Sequence, residues 1–304
     1  MNDRGALLAA GALVINAFVW GVSWWPFREL HALGLHPLWA TACIYFFALT
    51  CISLVWPSGW RGFARHPQLW LLALAAGLTN VSFNWAVTIG DVVRVVLLFY
   101  LMPAWAVLLA WVALGERPTR ASLARLLLAM TGVLIVLKTP DSPWPLPQDA
   151  ADWLALLGGL SFAATNVLLR KLASTPSESR MIAMFGGGAL LASGAALLGM
   201  AWAVVPAPAL SSSWLILALG LSLAFLASNM ALQYGAARLA ASTTAIVMLT
   251  EILFASLSAA ALGAAEFSPR IVFGGSLIVL AALLAALAPT KPPRSLAARS
   301  SLPP

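Results

Sequence analysis

The amino-acid sequence predicts an all-α polytopic membrane protein whose ten transmembrane helices form two inverted five-helix repeats around a central cavity. The first observation is composition: of 304 residues, 62% are hydrophobic and 9% are charged, whereas soluble domains carry about 25% charged residues. The second is a succession of ten apolar segments of about 20 residues, the length that a bilayer-spanning helix needs. The third is a bias of Lys and Arg toward alternate loops. Together they argue against a soluble enzyme, a disordered chain and a nucleic-acid-binding domain.

The apolar segments are separated by charged or Pro-rich turns, which are typical helix boundaries. They are residues 6–26, 37–56, 67–90, 93–114, 121–138, 151–171, 180–204, 212–235, 239–263 and 268–288. The first is interpreted as a retained span, because its apolar run is longer than the roughly 7–15 residues of a signal-peptide core. The chain ends in a stretch rich in Pro, Ser and Arg, residues 289–304, which is predicted to be a disordered cytoplasmic tail.

The net charge of +7 is interpreted as a signal of orientation in the bilayer rather than of nucleic-acid binding. When the N-terminus is placed in the cytoplasm, thirteen of the 17 Lys and Arg residues fall on the cytoplasmic side. The other four are Arg28, Arg94, Lys138 and Arg270. This bias predicts that both termini are cytoplasmic. The two cysteines, Cys43 and Cys51, fall on one predicted helix about 12 Å apart along its axis, beyond disulfide reach, and are interpreted as packing residues.

An internal repeat divides the chain into two halves. The stretch from Asn84 to Gly90 resembles the stretch from Asn229 to Gly235, and Leu114-Gly115 matches Leu262-Gly263 further on. The repeats are predicted over residues 6–138 and 151–288, joined by a loop over residues 139–150. Because each repeat holds an odd number of spans, the two would lie in opposite orientations, which is common in secondary transporters.

One block of residues carries a family resemblance. The stretch Tyr100–Thr119, with its Pro103 and the following Leu-Gly-Glu-Arg-Pro, resembles the fourth helix and loop of the EamA family, part of the drug/metabolite transporter superfamily. Trp20-Gly21 is similar to the family's early Trp-Gly pair. The second half departs from the pattern: Glu251 stands where the family has the helix proline, and Ala264, with Glu266 two residues further on, stands where it has glutamate.

The resemblance implies a ten-helix secondary transporter of the bacterial inner membrane. It implies that the first four helices of each half line a central cavity and that the fifth packs at the periphery. Family members export amino acids and other small metabolites, and Tyr100-Leu-Met-Pro103 is similar to the aromatic amino-acid exporter branch. The expected partners are therefore a small-molecule substrate, the lipid bilayer and, as a candidate coupling ion, the proton. Monomer and homodimer both stay open.

Glu251 is the clearest functional candidate from the residues themselves. It is the one Asp or Glu that falls deep inside a predicted span, and a carboxylate there is expensive unless it faces a cavity or a partner. Thr244, Glu251 and Ser258 are spaced by seven and are expected on one stripe of the helix. Glu251 is predicted to couple protons or to bind a substrate amine. The alternative is a protonated side chain that bonds to a neighbouring helix.

Further polar and aromatic residues are predicted to line the cavity, because amides facing lipid are costly. The predicted substrate-binding set is Asn16, Trp20, Trp24, Asn80, Asn84, Tyr100, Pro103, Ser161, Thr165, Asn166, Asn229 and Thr244. For each amide the alternative is an ordinary interhelical hydrogen bond. For Pro103 it is a passive kink, and for the deep tryptophans it is packing.

No cofactor and no metal is predicted, because the chain has no P-loop and its three histidines lie in predicted loops. Asp149-Ala-Ala-Asp152 is too isolated for a metal-dependent prenyl-transfer site. The predicted function is secondary-active export of small metabolites by alternating access. Uptake or facilitated permeation and lipid-carrier flipping stay open within transport, and an intramembrane enzyme acting on lipid-linked substrates is the alternative of another class.

Overall fold

The computed structural model describes residues 3–90, 92–137, 147–208, 213–263 and 269–288, and all of their regular secondary structure is helical. The helices are α1 (Asp3–Val22), α2 (Trp24–Ala32), α3 (Pro37–Val55), α4 (Ser58–Arg65), α5 (Leu69–Ile89), α6 (Val92–Phe99), α7 (Met102–Leu114), α8 (Arg120–Leu137), α9 (Ala150–Lys171), α10 (Ser177–Ala201), α11 (Leu215–Ala236), α12 (Ala241–Met248), α13 (Thr250–Ala261) and α14 (Pro269–Ala286). The predicted tail over residues 289–304, most of the 139–150 loop, Ala264 and Glu266 lie outside the described residues.

Among these residues, nine helical stretches are long and apolar enough to cross a membrane. They account for every predicted segment except the fifth, 121–138, which forms α8, a helix of 18 residues. The all-α polytopic membrane fold is confirmed. The first stretch, Arg4–Ala32, is longer than predicted because α2 continues from α1 with only Ser23 between them.

Two of the predicted spans are each broken into two half-helices near their middle. Residues 93–114 divide into α6 and α7, and residues 239–263 divide into α12 and α13 around Leu249. The single helical stripe expected for Thr244, Glu251 and Ser258 is therefore interrupted. Pro103 lies in the first turn of α7, where its missing N–H leaves no helical bond unmade, so the break precedes the proline.

The two broken spans end in the same way. Gly115 follows α7 with φ 68°, and Gly263 follows α13 with φ 69°. Glycine terminates helices in this left-handed conformation because it has no Cβ to clash. These are the two glycines that the sequence repeat aligns, so the repeat extends to backbone conformation.

Close helix contacts depend on glycines without side chains. A Cβ on Gly187 of α10 would lie 2.0 Å from the Ala73 carbonyl oxygen of α5. In the crossing of α8 and α14, a Cβ on Gly132 would lie 2.6 Å from the Gly274 oxygen, and one on Gly274 would lie 2.7 Å from the Gly132 oxygen. The Gly186-Gly187-Gly188 segment thus allows α10 to approach its neighbours closely, as small residues do in membranes.

The helices around the site form two groups that each combine both halves of the chain. In one, which we call the α9 group, α5, α6 and α7 pack on α9. In the other, the α1 group, α11, α12 and α13 pack on α1. The groups meet where α12 contacts α7 and α9. Functional contacts between the groups are therefore contacts between distant parts of the sequence.

Candidate functional site

The two helix breaks are joined by a hydrogen bond between Tyr100 and Glu251. Tyr100 lies in the break between α6 and α7 and is 5% exposed, and Glu251 lies in the first turn of α13 and is partly buried. The bond connects the α9 group to the α1 group. The structure thus brings together two predicted site residues that are 151 positions apart.

Helix α1 closes one side of this pair. A Cβ on Gly21 would lie 2.7 Å from the Glu251 carbonyl oxygen and 2.7 Å from the Phe254 Cβ, so α1 passes directly over the start of α13. One turn further, the Trp24 indole N–H donates to the Ser258 hydroxyl at 2.9 Å. Trp24 therefore anchors α2 to α13 beside the pair.

Asn16 is a tether between α1 and α11. Its amide nitrogen donates to the Ser228 carbonyl oxygen at 2.9 Å and contacts the Ser228 hydroxyl at 2.6 Å. The Asn16 side-chain oxygen is buried and has no hydrogen-bond partner among the described residues. Asn16 thus makes the interhelical bond expected by the alternative interpretation, while one of its polar atoms stays unused.

Asn80 and Asn84 of α5 face α3. The Tyr45 hydroxyl donates to the Asn80 side-chain oxygen at 2.8 Å, and the Asn84 amide donates to the Thr41 hydroxyl. Neither contact involves the Tyr100–Glu251 pair. For these two residues the structure supports a role in joining helices.

Trp20 lies in an aromatic cluster between α1 and α11. Its ring stacks on Phe225 with centroids 4.5 Å apart and planes inclined by 20°. Phe225 also contacts the rings of Phe27 at 6.2 Å and Tyr45 at 6.3 Å. One face of the predicted site residue Trp20 is therefore covered by Phe225 in this conformation.

The predicted polar residues of α9 differ in how well they are satisfied. The Thr165 hydroxyl donates to the Ser161 carbonyl oxygen of its own helix at 3.0 Å. Asn166 is 1% exposed, and neither its amide nitrogen nor its amide oxygen has a partner among the described residues. Thr244 of α12 is 0% exposed and its hydroxyl is likewise unpartnered there. Asn166 and Thr244, which are predicted to line a cavity, are thus fully enclosed by other side chains.

A buried arginine that sequence reasoning did not assign to the site lies one helix away. Arg180, in the first turns of α10, is 6% exposed. It donates to the Gln233 side-chain oxygen at 3.1 Å and to the Leu172 carbonyl oxygen at 3.0 Å. Gln233 in turn donates to Asn229 at 2.8 Å, so the predicted residue Asn229 ends a polar chain. The available signal was an arginine at the very start of a predicted span.

Glu116, Arg170 and Ala241 form a second link between the two groups, where α7 and α9 end and α12 begins. We call this side of the bundle the Glu116 end. The Glu116 carboxylate lies 3.6 Å from the Arg170 guanidinium and accepts a hydrogen bond from the Ala241 amide at the start of α12. Arg170 also donates to the Ala237 carbonyl oxygen at 3.0 Å. Burial raises the pKa of Glu116, against the opposing effects of Arg170 and the Ala241 amide. The charged turn after α7 is thus a contact between the two helix groups.

Asp149 and Asp152 cap α9, with the Asp152 amide donating to the Asp149 carboxylate at 2.9 Å. An apolar crevice of about 210 Å³ opens between α3, α10 and α11, lined by residues that include Ile52, Met181 and Leu226. Within the described ranges, no cluster of three or more His, Cys, Asp or Glu side chains could hold a metal ion.

Comparison with known proteins relates the first part of the chain to a transporter family. Residues 5–138 match the EamA-like transporter family. The RarD proteins of Salmonella typhi and Salmonella typhimurium are each 29% identical over 177 residues, and the chain spans 56% of the length of these relatives. A solved crystal structure, 18% identical, aligns over 94% of this chain and 98% of that one with a TM-score of 0.74, which shows a shared fold. The likeness to the EamA-like transporter family is therefore found in residues 5–138, and the fold of nearly the whole chain is shared with that solved structure.

Proposed function

We propose that this protein is a secondary-active exporter of small amphipathic metabolites, with aromatic amino acids as the leading class, and that protons drive it. The observation that carries the proposal is the Tyr100–Glu251 hydrogen bond between the two helix breaks. An acidic side chain inside a bundle of membrane helices is a functional site by default, because it is expensive to keep there for structure alone. Broken helices are also where transporters place substrate and ion sites.

The proposed mechanism is alternating access between two inverted repeats, residues 6–138 and 151–288. Three features support the repeat: each half has a broken fourth span, each broken span ends at a left-handed glycine, and α8 crosses α14 through reciprocal glycines. Since the α9 and α1 groups each combine both halves, tilting one group against the other would open one face of the bundle and close the opposite face.

The proposed orientation has both termini in the cytoplasm of a bacterial inner membrane, which makes the Glu116 end cytoplasmic. Helices α7 and α12 pack against each other on that side, and the link from Glu116 to Arg170 and Ala241 lies there too. This arrangement supports a conformation that is closed toward the cytoplasm. Export would require the link to open so that substrate can enter.

The residues around the site support an amphipathic substrate with an amine. The Glu251 carboxyl is the acidic group at the site and can bind either an ammonium or a proton, which would make the two compete. Flat apolar faces are offered by the stacked rings of Trp20 on α1 and Phe225 on α11, and by Tyr100 in the break between α6 and α7. Asn16, with its unused side-chain oxygen, adds an acceptor on α1.

The test is the substitution Glu251→Gln, which keeps the size of the side chain and removes its ability to ionise. We expect the proton-driven flux of L-phenylalanine across proteoliposome membranes to fall by about tenfold or more, as for a loss of ~1.4 kcal/mol. The dependence of this flux on the pH gradient should disappear. The matched control is Glu29→Gln, which removes an exposed carboxylate from α2 and should transport as the wild type does. Unchanged, pH-dependent flux in the inserted Glu251→Gln protein would refute the proposal.

A further inference from the structure

Three polar side chains without partners lie on α7, α9 and α12, the helices that pack together at one seam. They are the Trp105 indole N–H, both polar atoms of the Asn166 amide, and the Thr244 hydroxyl. Asn166 is 1% and Thr244 is 0% exposed. No hydrogen-bond partner for these atoms exists within the described part of the chain.

The seam itself is built from small side chains. Ala106, Ala163 and Ala245 form one buried cluster against which Trp105 packs, and Ala110, Val167 and Ala241 form the next. Asn166 follows Ala163, and Thr244 follows Ala241, each by three residues, about one helical turn. Both polar residues therefore belong to the helix faces that this seam brings together.

An unpartnered polar group buried in such a seam destabilises the closed state, because it has lost its hydrogen bonds to water and gained none in return. The penalty is removed if the seam opens during the transport cycle and the groups then meet water or substrate. Trp105 offers only a donor, and Asn166 and Thr244 each offer a donor as well. Arg170 lies one turn beyond Asn166 on α9, at the outer end of the seam. Three hydrogen-bond donors, with the positively charged Arg170 guanidinium beyond them, are suited to binding a carboxylate.

We propose that Trp105, Asn166 and Thr244 form a carboxylate-binding site that exists when the Glu116 end is open. The site receives the carboxylate of an incoming substrate before its amine reaches Glu251, which follows Thr244 by seven residues and lies on the next half-helix, α13. Closure of the seam then expels the carboxylate toward the centre. The inference rests on the proposed function insofar as the substrate carries both groups.

The first experiment changes the charge of the site with little change of shape. In proteoliposomes, Asn166→Asp should lower the flux of L-phenylalanine relative to phenethylamine, which lacks the carboxylate, by about tenfold or more, since a hydrogen-bond donor to the carboxylate is replaced by a like charge. Ser222→Asp is the matched control, because Ser222 is 1% exposed with an unpartnered hydroxyl but lies on α11, away from the seam; its flux ratio should equal that of the wild type. An unchanged flux ratio in Asn166→Asp overturns the proposal.

The second experiment needs no transport and covers the case in which Asn166→Asp fails to fold. With Cys43 and Cys51, the two cysteines of the sequence, replaced by Ser, Thr244→Cys is alkylated by a maleimide in detergent. We expect 3-phenylpropionate to slow the reaction about fivefold or more, as for ~1 kcal/mol of binding, and phenethylamine to leave it unchanged. If wild-type vesicles move neither probe but this protection is seen, the proposed function fails while the carboxylate site stands. Absence of protection overturns the site whatever the flux.

Discussion

At the scale of single residues, Glu116 does two things that conflict. Its charge is needed to pair with Arg170 at 3.6 Å and to accept the Ala241 amide. Its burial makes that charge unfavourable and raises the pKa of the carboxyl. The burial of the charge therefore weakens the link that this charge makes between the two helix groups. A carboxylate fully exposed to water would lose most of its attraction to Arg170.

This conflict predicts the direction of a pH effect on stability. Since the pKa of Glu116 is raised above its ordinary value of 4.5, the folded protein binds this proton more tightly than the unfolded chain does. The stabilisation that this provides is complete below pH 4.5 and is lost as the pH rises through the raised pKa.

The variant Glu116→Gln cannot titrate there, so its stability should lack this dependence. The difference in melting temperature between wild type and Glu116→Gln should therefore shift in favour of the variant as the pH rises from 4 toward 7, about the range that a raised carboxyl pKa covers. Thermal unfolding in detergent at a series of pH values measures it, with Glu29→Gln as the exposed-carboxylate control. A difference that shifts in favour of the wild type with rising pH would contradict the argument.

At the scale of the helices, hydropathy predicted nearly every span but neither break. The sequence around Leu249 contains no Gly or Pro, so no helix-breaking residue marks the end of α12. Pro103 does mark the break in the first half, although it lies just after it. Contacts with α1 and with the opposing half-helix are tertiary, and hydropathy carries no information about them.

The sequence indicated which residues belong to the site, but it did not indicate which of them contact one another. Tyr100 and Glu251 stand out as polar groups in apolar spans, but no periodicity relates positions in different halves of the chain. Arg180 was counted among loop charges because it lies at a span boundary, whereas its neighbours Gln233 and Leu172 draw it inside. Partners of this kind emerge only when the helices are placed beside one another.

Two glycines of α10 provide a matched test of helix packing. Gly187→Ala would place a methyl group 2.0 Å from the Ala73 oxygen, and such overpacking typically destabilises by about 1–3 kcal/mol. Gly194→Ala meets nothing within 4 Å and should be neutral or stabilising by up to ~1 kcal/mol, since alanine is the better helix former. The melting temperatures of the two purified variants measure this difference in stability. Equal stability would mean that α5 and α10 are not packed as described.

At the scale of the whole molecule, the two helix groups touch at two depths. The Tyr100–Glu251 bond joins them at the helix breaks, and the link from Glu116 to Arg170 and Ala241 joins them at one end. Between these two levels lies the seam of small residues along α7, α9 and α12. Small side chains there let the backbones of the three helices approach one another closely.

If the seam parts in every transport cycle, holding it shut must stop transport. We expect oxidation of the double variant Ala106→Cys, Ala245→Cys, made with Cys43 and Cys51 replaced by Ser, to cross-link α7 to α12, since these two alanines belong to one buried cluster. Counterflow of L-phenylalanine in proteoliposomes should then cease and return on reduction with dithiothreitol, while each single-cysteine variant should be insensitive to the oxidant. Transport at the uncross-linked rate by fully cross-linked protein would mean that α7 and α12 stay together, and alternating access would have to be assigned to another interface.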